Sequence, residues 1–165
     1  KGKEVAVIGG GNTALQEAVM LSELCTKVTL VQNLSFFTGE KKLLDQLEKK
    51  SNVEFITNSV VCAIEGDDSL SSIRIINTET KEEKTLFVDG IFVAIGQVPE
   101  NEPFKSVSSL DDYGYIISGE ECESGTKGVF VAGDCRTKRV RQIATAVSDG
   151  AIAAVNACKY LDSLE

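Results

Sequence analysis

Apolar residues come first in short unbroken runs and then at helical spacing. Val5 through Ile8 is continuous and apolar, and Gly9-Gly10-Gly11 follows at once. A run of that length closed by glycines predicts a buried strand and a turn. Ala14, Leu15, Ala18, Val19, Leu21 and Leu24 then recur every three or four positions, which predicts a helix lying on a sheet. Lys27 to Val31 predicts a second strand, so the opening is a β-α-β unit with parallel strands. Glu40 to Lys50 predicts a charged helix with Leu43, Leu44 and Leu47 inward, and Val53 to Ile56 a third strand. Beyond it the spacing shortens. Val60 to Glu65, Ser72 to Asn77 and Lys84 to Val88 predict an antiparallel meander, with Thr78 to Glu83 as a charged hairpin tip. Ile91 to Ile95 predicts a further buried parallel strand. A polar stretch with Gly96 and Pro99 then marks a boundary. After it come a hairpin-like patch at Tyr113 to Ile117, a buried strand over Gly128 to Asp134, and a long helix over Gln142 to Leu161. Alanine and valine dominate the inner face of that helix, which predicts close packing on a flat surface. Without such a surface, Ala144 to Val155 would expose an apolar face that invites dimerisation.

The fold class is therefore α/β. A doubly wound, Rossmann-like parallel sheet carries an antiparallel β-meander, and a second unit follows the boundary. The division expected is residues 1–95 and residues 96–165.

Composition narrows the chemistry. The 165 residues include no His, which removes imidazole bases and His-ligated metals. A formal charge of -8 disfavours nucleic acid, and no apolar run approaches the length of a membrane span. The 5 cysteines, Cys25, Cys62, Cys122, Cys135 and Cys158, form no Cys-x-x-Cys. They read as small buried hydrophobes, and their odd count suggests a reducing, cytoplasmic compartment. The chain opens on Lys1 with a strand pattern close behind, as part of a longer chain would.

Gly9-x-Gly11-x-x-Ala14 matches the dinucleotide fingerprint. Gly9 allows the tight turn, Gly11 lets a pyrophosphate approach the backbone, and Ala14 lets the helix sit close to its strand. The helix start at Asn12 and Thr13 offers free amides to phosphate. The alternative is a glycine turn that serves packing alone. The end of the second strand then selects the cofactor. NAD sites usually carry an acid there and NADP sites an arginine. Gln32, Asn33, Leu34 and Thr38 supply neither.

Three further stretches extend the pattern: Phe92 to Gly96 with Pro99, Gly128 to Asp134, and Arg141-Gln142 at the start of the last helix. With Val5 to Ala14, in this order and spacing, they resemble the C-terminal half of the low-molecular-weight thioredoxin reductases. The resemblance covers nearly the whole chain. It implies a homodimeric flavoprotein in which electrons pass from NADPH to FAD, then to a Cys-x-x-Cys pair and on to thioredoxin. It implies that residues 1–95 are the NAD(P)-binding-like domain and residues 96–165 the returning segment of the FAD domain. Gly9, Gly11, Asn12, Thr13 and Ala14 would then face the pyridine nucleotide. Gly133 and Asp134 would face the flavin's ribityl chain, and Arg141 with the backbone of Gln142 and Ile143 would lie at the flavin ring. The helix start there suits the negative charge of reduced flavin.

Two departures qualify the resemblance. The Cys-x-x-Cys pair and the first FAD half would lie before Lys1, and Cys135 beside Asp134 has no partner and reads as a core residue. The arginines that hold the 2′-phosphate of NADPH are replaced by Asn33, Leu34 and Thr38, which resembles the branch reduced by ferredoxin. Lys41 or Lys42 reaching the phosphate is the conservative alternative. A ferredoxin–NADP reductase-like flavoprotein without the thiol pair, and a stand-alone nucleotide-binding module, are the competing functions.

Overall fold

A computed structural model describes residues 1–164. The chain divides between Gly96 and Gln97 into two compact units.

In the first unit, β1 (Glu4–Ile8), β2 (Lys27–Val31), β3 (Val53–Ile56) and β7 (Gly90–Val93) form a parallel sheet in the order β3-β2-β1-β7. Helices α1 (Asn12–Ser22) and α2 (Lys41–Leu47) carry the chain from β1 to β3. Strands β4 (Ser59–Gly66), β5 (Leu70–Asn77) and β6 (Glu83–Phe87) form a separate antiparallel sheet in the order β4-β5-β6, the meander expected from the sequence.

Alternation along the strands builds two cores. Val5 and Val7 of β1 and Val28 and Leu30 of β2 pack with Leu15, Ala18 and Leu21 of α1 and Leu47 of α2. Ala6 and Val31, pointing the other way, pack with Ile73, Ile75 and Leu86 of the meander. Helices thus cover one face of the parallel sheet and the meander covers the other. Both faces of β1 and β2 are dry, which is why those strands read as continuous apolar runs.

Strand β7 is parallel to β1, as expected, but it is not buried. It is the edge strand, and Val93 and, just after it, Ile95 are 64% and 72% exposed. Its apolar sequence matches that of β1; only its place in the sheet differs.

The second unit, from Gln97 on, is irregular apart from a 3-10 turn at Glu102–Phe104 and helix α3 (Ile143–Asp162). The strand expected over Gly128 to Asp134 does not form. A single bridge, Glu123 to Phe130, and the Val131 N–H donating to the Cys122 carbonyl at 2.8 Å replace a ladder. A strand persists only where its amides and carbonyls find partners in series, and the described residues of this unit contain no strand to supply them. The hairpin-like patch is present as a short turn: Leu110 bridges Ile116, the Asp111 N–H donates to the Tyr115 carbonyl at 2.8 Å, and the Ile117 N–H to the Ser109 carbonyl at 2.8 Å. Helix α3 also departs from expectation. Its alanine and valine face is largely open, with Ile143, Val147 and Val155 exposed and Asp149 its only buried residue.

The cysteines divide likewise. Cys122 is buried, Cys25 and Cys135 are half-buried, and Cys62 and Cys158 are exposed. The expectation of uniformly buried thiols, including Cys135 as a core residue, is therefore corrected, because Cys62 lies on an edge strand and Cys158 on the open side of α3. Among the described residues no helix is long and apolar enough to cross a membrane.

Candidate functional site

The chain turns from β1 toward β2 on one side, while β7 lies on the other side of β1. At such a reversal the loops diverge and leave a crevice at the carboxyl ends of the strands. An open cavity of about 730 Å³ lies there. Gly9, Gly11, Asn12 and Thr13 line its floor, Gln32, Asn33, Leu34 and Thr38 one wall, and Val60, Ile64, Val93 and Ile95 the apolar remainder. Ala14 does not reach it. That residue is fully buried in the helix-side core, where a small side chain lets α1 approach the sheet.

The glycines differ in what they require. Gly9 has φ +131°, and a Cβ there would lie 2.8 Å from the Ala94 carbonyl carbon, so the fold itself demands glycine. A Cβ on Gly10 would lie 2.6 Å from Cδ of Gln32. Gly11 has an ordinary φ of -84°, and its Cβ would meet nothing nearer than Thr38 Oγ1 at 3.9 Å. Packing does not explain the glycine at position 11. The empty space above it is the space a pyrophosphate would fill against the start of α1, whose first amides have no partner within the helix. The residues present therefore fit a dinucleotide backbone.

They do not fit a 2′-phosphate. Among the described residues, none that lines the cavity is charged. Gln32, at the end of β2, is buried and occupied: its Nε2 donates to the Phe36 carbonyl at 3.3 Å and its Oε1 accepts the Asn33 N–H at 3.2 Å. Thr38 is tied down as well, both its N–H and its hydroxyl donating to the Gly10 carbonyl at 2.8 and 3.3 Å. Lys41 and Lys42 are exposed and line no part of the cavity. Asn12 pairs with Glu40 through both its amide oxygen and its amide nitrogen, at 2.7 and 3.1 Å, which pins the loop after β2 to the start of α1.

In the second unit the remaining predicted residues gather around one corner. Gly133 adopts φ +88°, and the Asp134 carboxylate beside it is exposed with no hydrogen-bond partner among the described residues. Arg141 stacks over the Tyr115 ring at 3.8 Å from its centroid, and its Nε donates to the Asp134 carbonyl at 3.2 Å. Its guanidinium is thus committed to bracing the corner. Gln142 caps α3, and its N–H donates to Thr145 Oγ1 at 3.1 Å, so the helix start offers the Ile143 amide but not that of Gln142. Sequence reasoning missed Asn101, Arg136 and Asp149, all buried and all bound to this corner. Their one signal was the isolated acid within an alanine- and valine-rich helix.

A family model described as pyridine nucleotide-disulphide oxidoreductase matches residues 1–150. This chain belongs to that family. Among its relatives, a 34.2 kDa protein in the rubredoxin operon of Clostridium pasteurianum is 40% identical over 161 residues, 98% of this chain and 52% of the relative. The thioredoxin reductase of Mycoplasma genitalium is 40% identical over 154 residues, 93% of this chain and 49% of the relative. The crystal structure of Lactococcus lactis thioredoxin reductase in its FR conformation superposes with a TM-score of 0.86 at 33% identity, covering 99% of this chain and 54% of that one. This chain thus spans about half the length of the curated relatives it matches.

Proposed function

We propose that this chain is part of a thioredoxin-disulfide reductase flavoprotein. In that reading residues 1–95 are its nucleotide-binding-like domain and residues 96–165 the closing segment of its FAD domain. Electrons pass through FAD to a Cys-x-x-Cys pair carried outside this chain and on to thioredoxin. The parent works as a homodimer in the cytoplasm. The observation that carries the reading is the likeness to thioredoxin reductases along nearly the whole chain, through both units.

FAD, when bound, supplies the two-electron relay. This chain supplies its surroundings. Asp134 presents an unpaired carboxylate suited to a ribityl hydroxyl, and the start of α3 presents the Ile143 amide and a positive dipole end suited to a ring that gains negative charge. In the first unit the start of α1 and the bare Gly11 receive a pyrophosphate. The uncharged cavity speaks against NADPH as the donor, because a cavity that takes its 2′-phosphate needs a cation to pair with it and none among the described residues lines this one. Reduced ferredoxin is the donor in this reading, on the likeness of the loop after β2 to the ferredoxin-reduced branch.

The test is made on the parent protein. Flavin absorbance, and reduction of thioredoxin when reduced ferredoxin is supplied, are the expected results. Rapid flavin reduction by micromolar NADPH would overturn the donor assignment. Flavin without thioredoxin reduction from any donor would favour the ferredoxin–NADP reductase-like alternative, and a colourless protein that binds nucleotide without turnover would favour a binding module.

A further inference from the structure

Asp149 is the one buried residue of a helix whose other faces are open. A carboxylate withdrawn from water is costly unless every lone pair is matched. Here four donors engage the two oxygens. Oδ2 accepts from the Gly133 N–H at 3.0 Å, from Arg136 Nε at 2.9 Å and from Lys138 Nζ at 2.7 Å, and Oδ1 accepts from Arg136 Nη2 at 3.1 Å. The second terminal nitrogen of Arg136 then donates to the carbonyls of Ser118 and Gly119 at 3.2 and 3.0 Å.

The corner from Gly133 to Arg136 lies in neither helix nor strand, yet the peptides on either side of the Gly133–Asp134 link are held. The Gly133 N–H is taken by Asp149, the Asp134 carbonyl by Arg141, and the Cys135 carbonyl by Asn101 Nδ2 at 2.8 Å and the Ile116 N–H at 3.0 Å. The Arg136 carbonyl receives Arg141 Nη2 at 3.4 Å. Gly133 also holds a left-handed conformation. Simple attachment of α3 would be served as well by apolar contacts, since buried ion clusters are commonly no more stabilising than well-packed hydrophobes. What apolar contacts cannot do is accept the N–H of Gly133, the residue before Asp134.

We infer that Asp149 is a positioning residue for the flavin: by accepting the Gly133 N–H and gripping Arg136 and Lys138, it holds the Asp134 carboxylate where the ribityl chain takes it. The inference rests on the reading of the second unit as part of an FAD domain. Its test is FAD titration of the deflavinated parent protein, followed by flavin fluorescence, with the visible spectrum and midpoint potential of the bound flavin recorded beside it. Asp149→Ala removes the acceptor of the Gly133 N–H and the counter-charge of the buried Arg136 guanidinium, and FAD should bind about tenfold to a hundredfold more weakly with a changed spectrum. Asp149→Asn keeps an acceptor for the Gly133 N–H and should fall between parent and alanine variant. Nucleotide binding at the Gly11 cavity should be unchanged in both. Parental FAD affinity and spectrum in either folded variant would overturn the inference. Loss of the fold in both variants would assign Asp149 to folding instead and overturn it equally. A wild-type parent that neither contains nor takes up FAD would remove the flavin reading itself, a result seen before any variant is made.

Discussion

Gly9 and Ala94 leave no room for a side chain between them. The backbone of Gly9, at φ +131°, runs directly beneath the Ala94 carbonyl, where β1 and the end of β7 meet. Two residues on, at Gly11, the space is open. One motif thus contains a glycine the fold needs and a glycine it does not.

Substitution separates the two. Gly9→Ala should lower stability by at least about 2 kcal/mol, from backbone strain and the carbonyl clash. Gly11→Ala should cost less than about 1 kcal/mol, the ordinary loss at a helix N-cap, and Gly11→Val should still fold but lose dinucleotide binding. Thermal melts beside calorimetric titration check both. Retained binding in the valine variant would make the loop a packing device.

The uncharged cavity sets a selectivity. NADPH should bind no better than NADH, within about tenfold, because nothing lining the cavity pays for the extra phosphate. Leu34→Arg should install a preference for NADPH of about tenfold or more. Competition titrations of both cofactors read the ratio directly.

Asp149 should shape the acid limb of stability. Hydrogen bonds from Arg136 first, and then from Lys138 and the Gly133 amide, hold its carboxyl well below the usual carboxylate range despite burial. The native state therefore favours the ionised form. Its contribution is complete above the unfolded value, about pH 3.9, and is lost as pH falls through the lower native value. Denaturant melts between about pH 5 and 2 should show a shallower decline in Asp149→Asn than in the parent. Equal slopes would place the acid sensitivity elsewhere.

Thiol labelling should be graded. Cys62 and Cys158 should react with a maleimide on mixing, whereas Cys122, buried and with its thiol pushed up by desolvation, should react only on unfolding. Mass spectrometry over a time course resolves the order.

The central part of this architecture was legible because its physics is local. Val5 to Ile8 and Lys27 to Val31 are buried on both faces and carry that in their composition, and the meander is punctuated by turns. Neighbourhood was not legible. Ile91 to Ile95 is as apolar as β1 but lies at an edge, and Gly128 to Asp134 has strand-like residues without a ladder. The glycine fingerprint revealed the floor of the cavity, but not its apolar wall from β4 and β7, which the chain brings in from some 50 and 80 residues away. Asn101, Arg136 and Asp149 are far apart along the chain and meet only in space.

The neutral lining of the cavity also bears on how fast an anionic occupant arrives. With no cation to steer it in and a chain charge of -8 at large, such a ligand approaches against the long-range field. Added salt then screens repulsion rather than attraction, so association should quicken as ionic strength rises. A pocket that grips phosphate with arginines behaves in the opposite way.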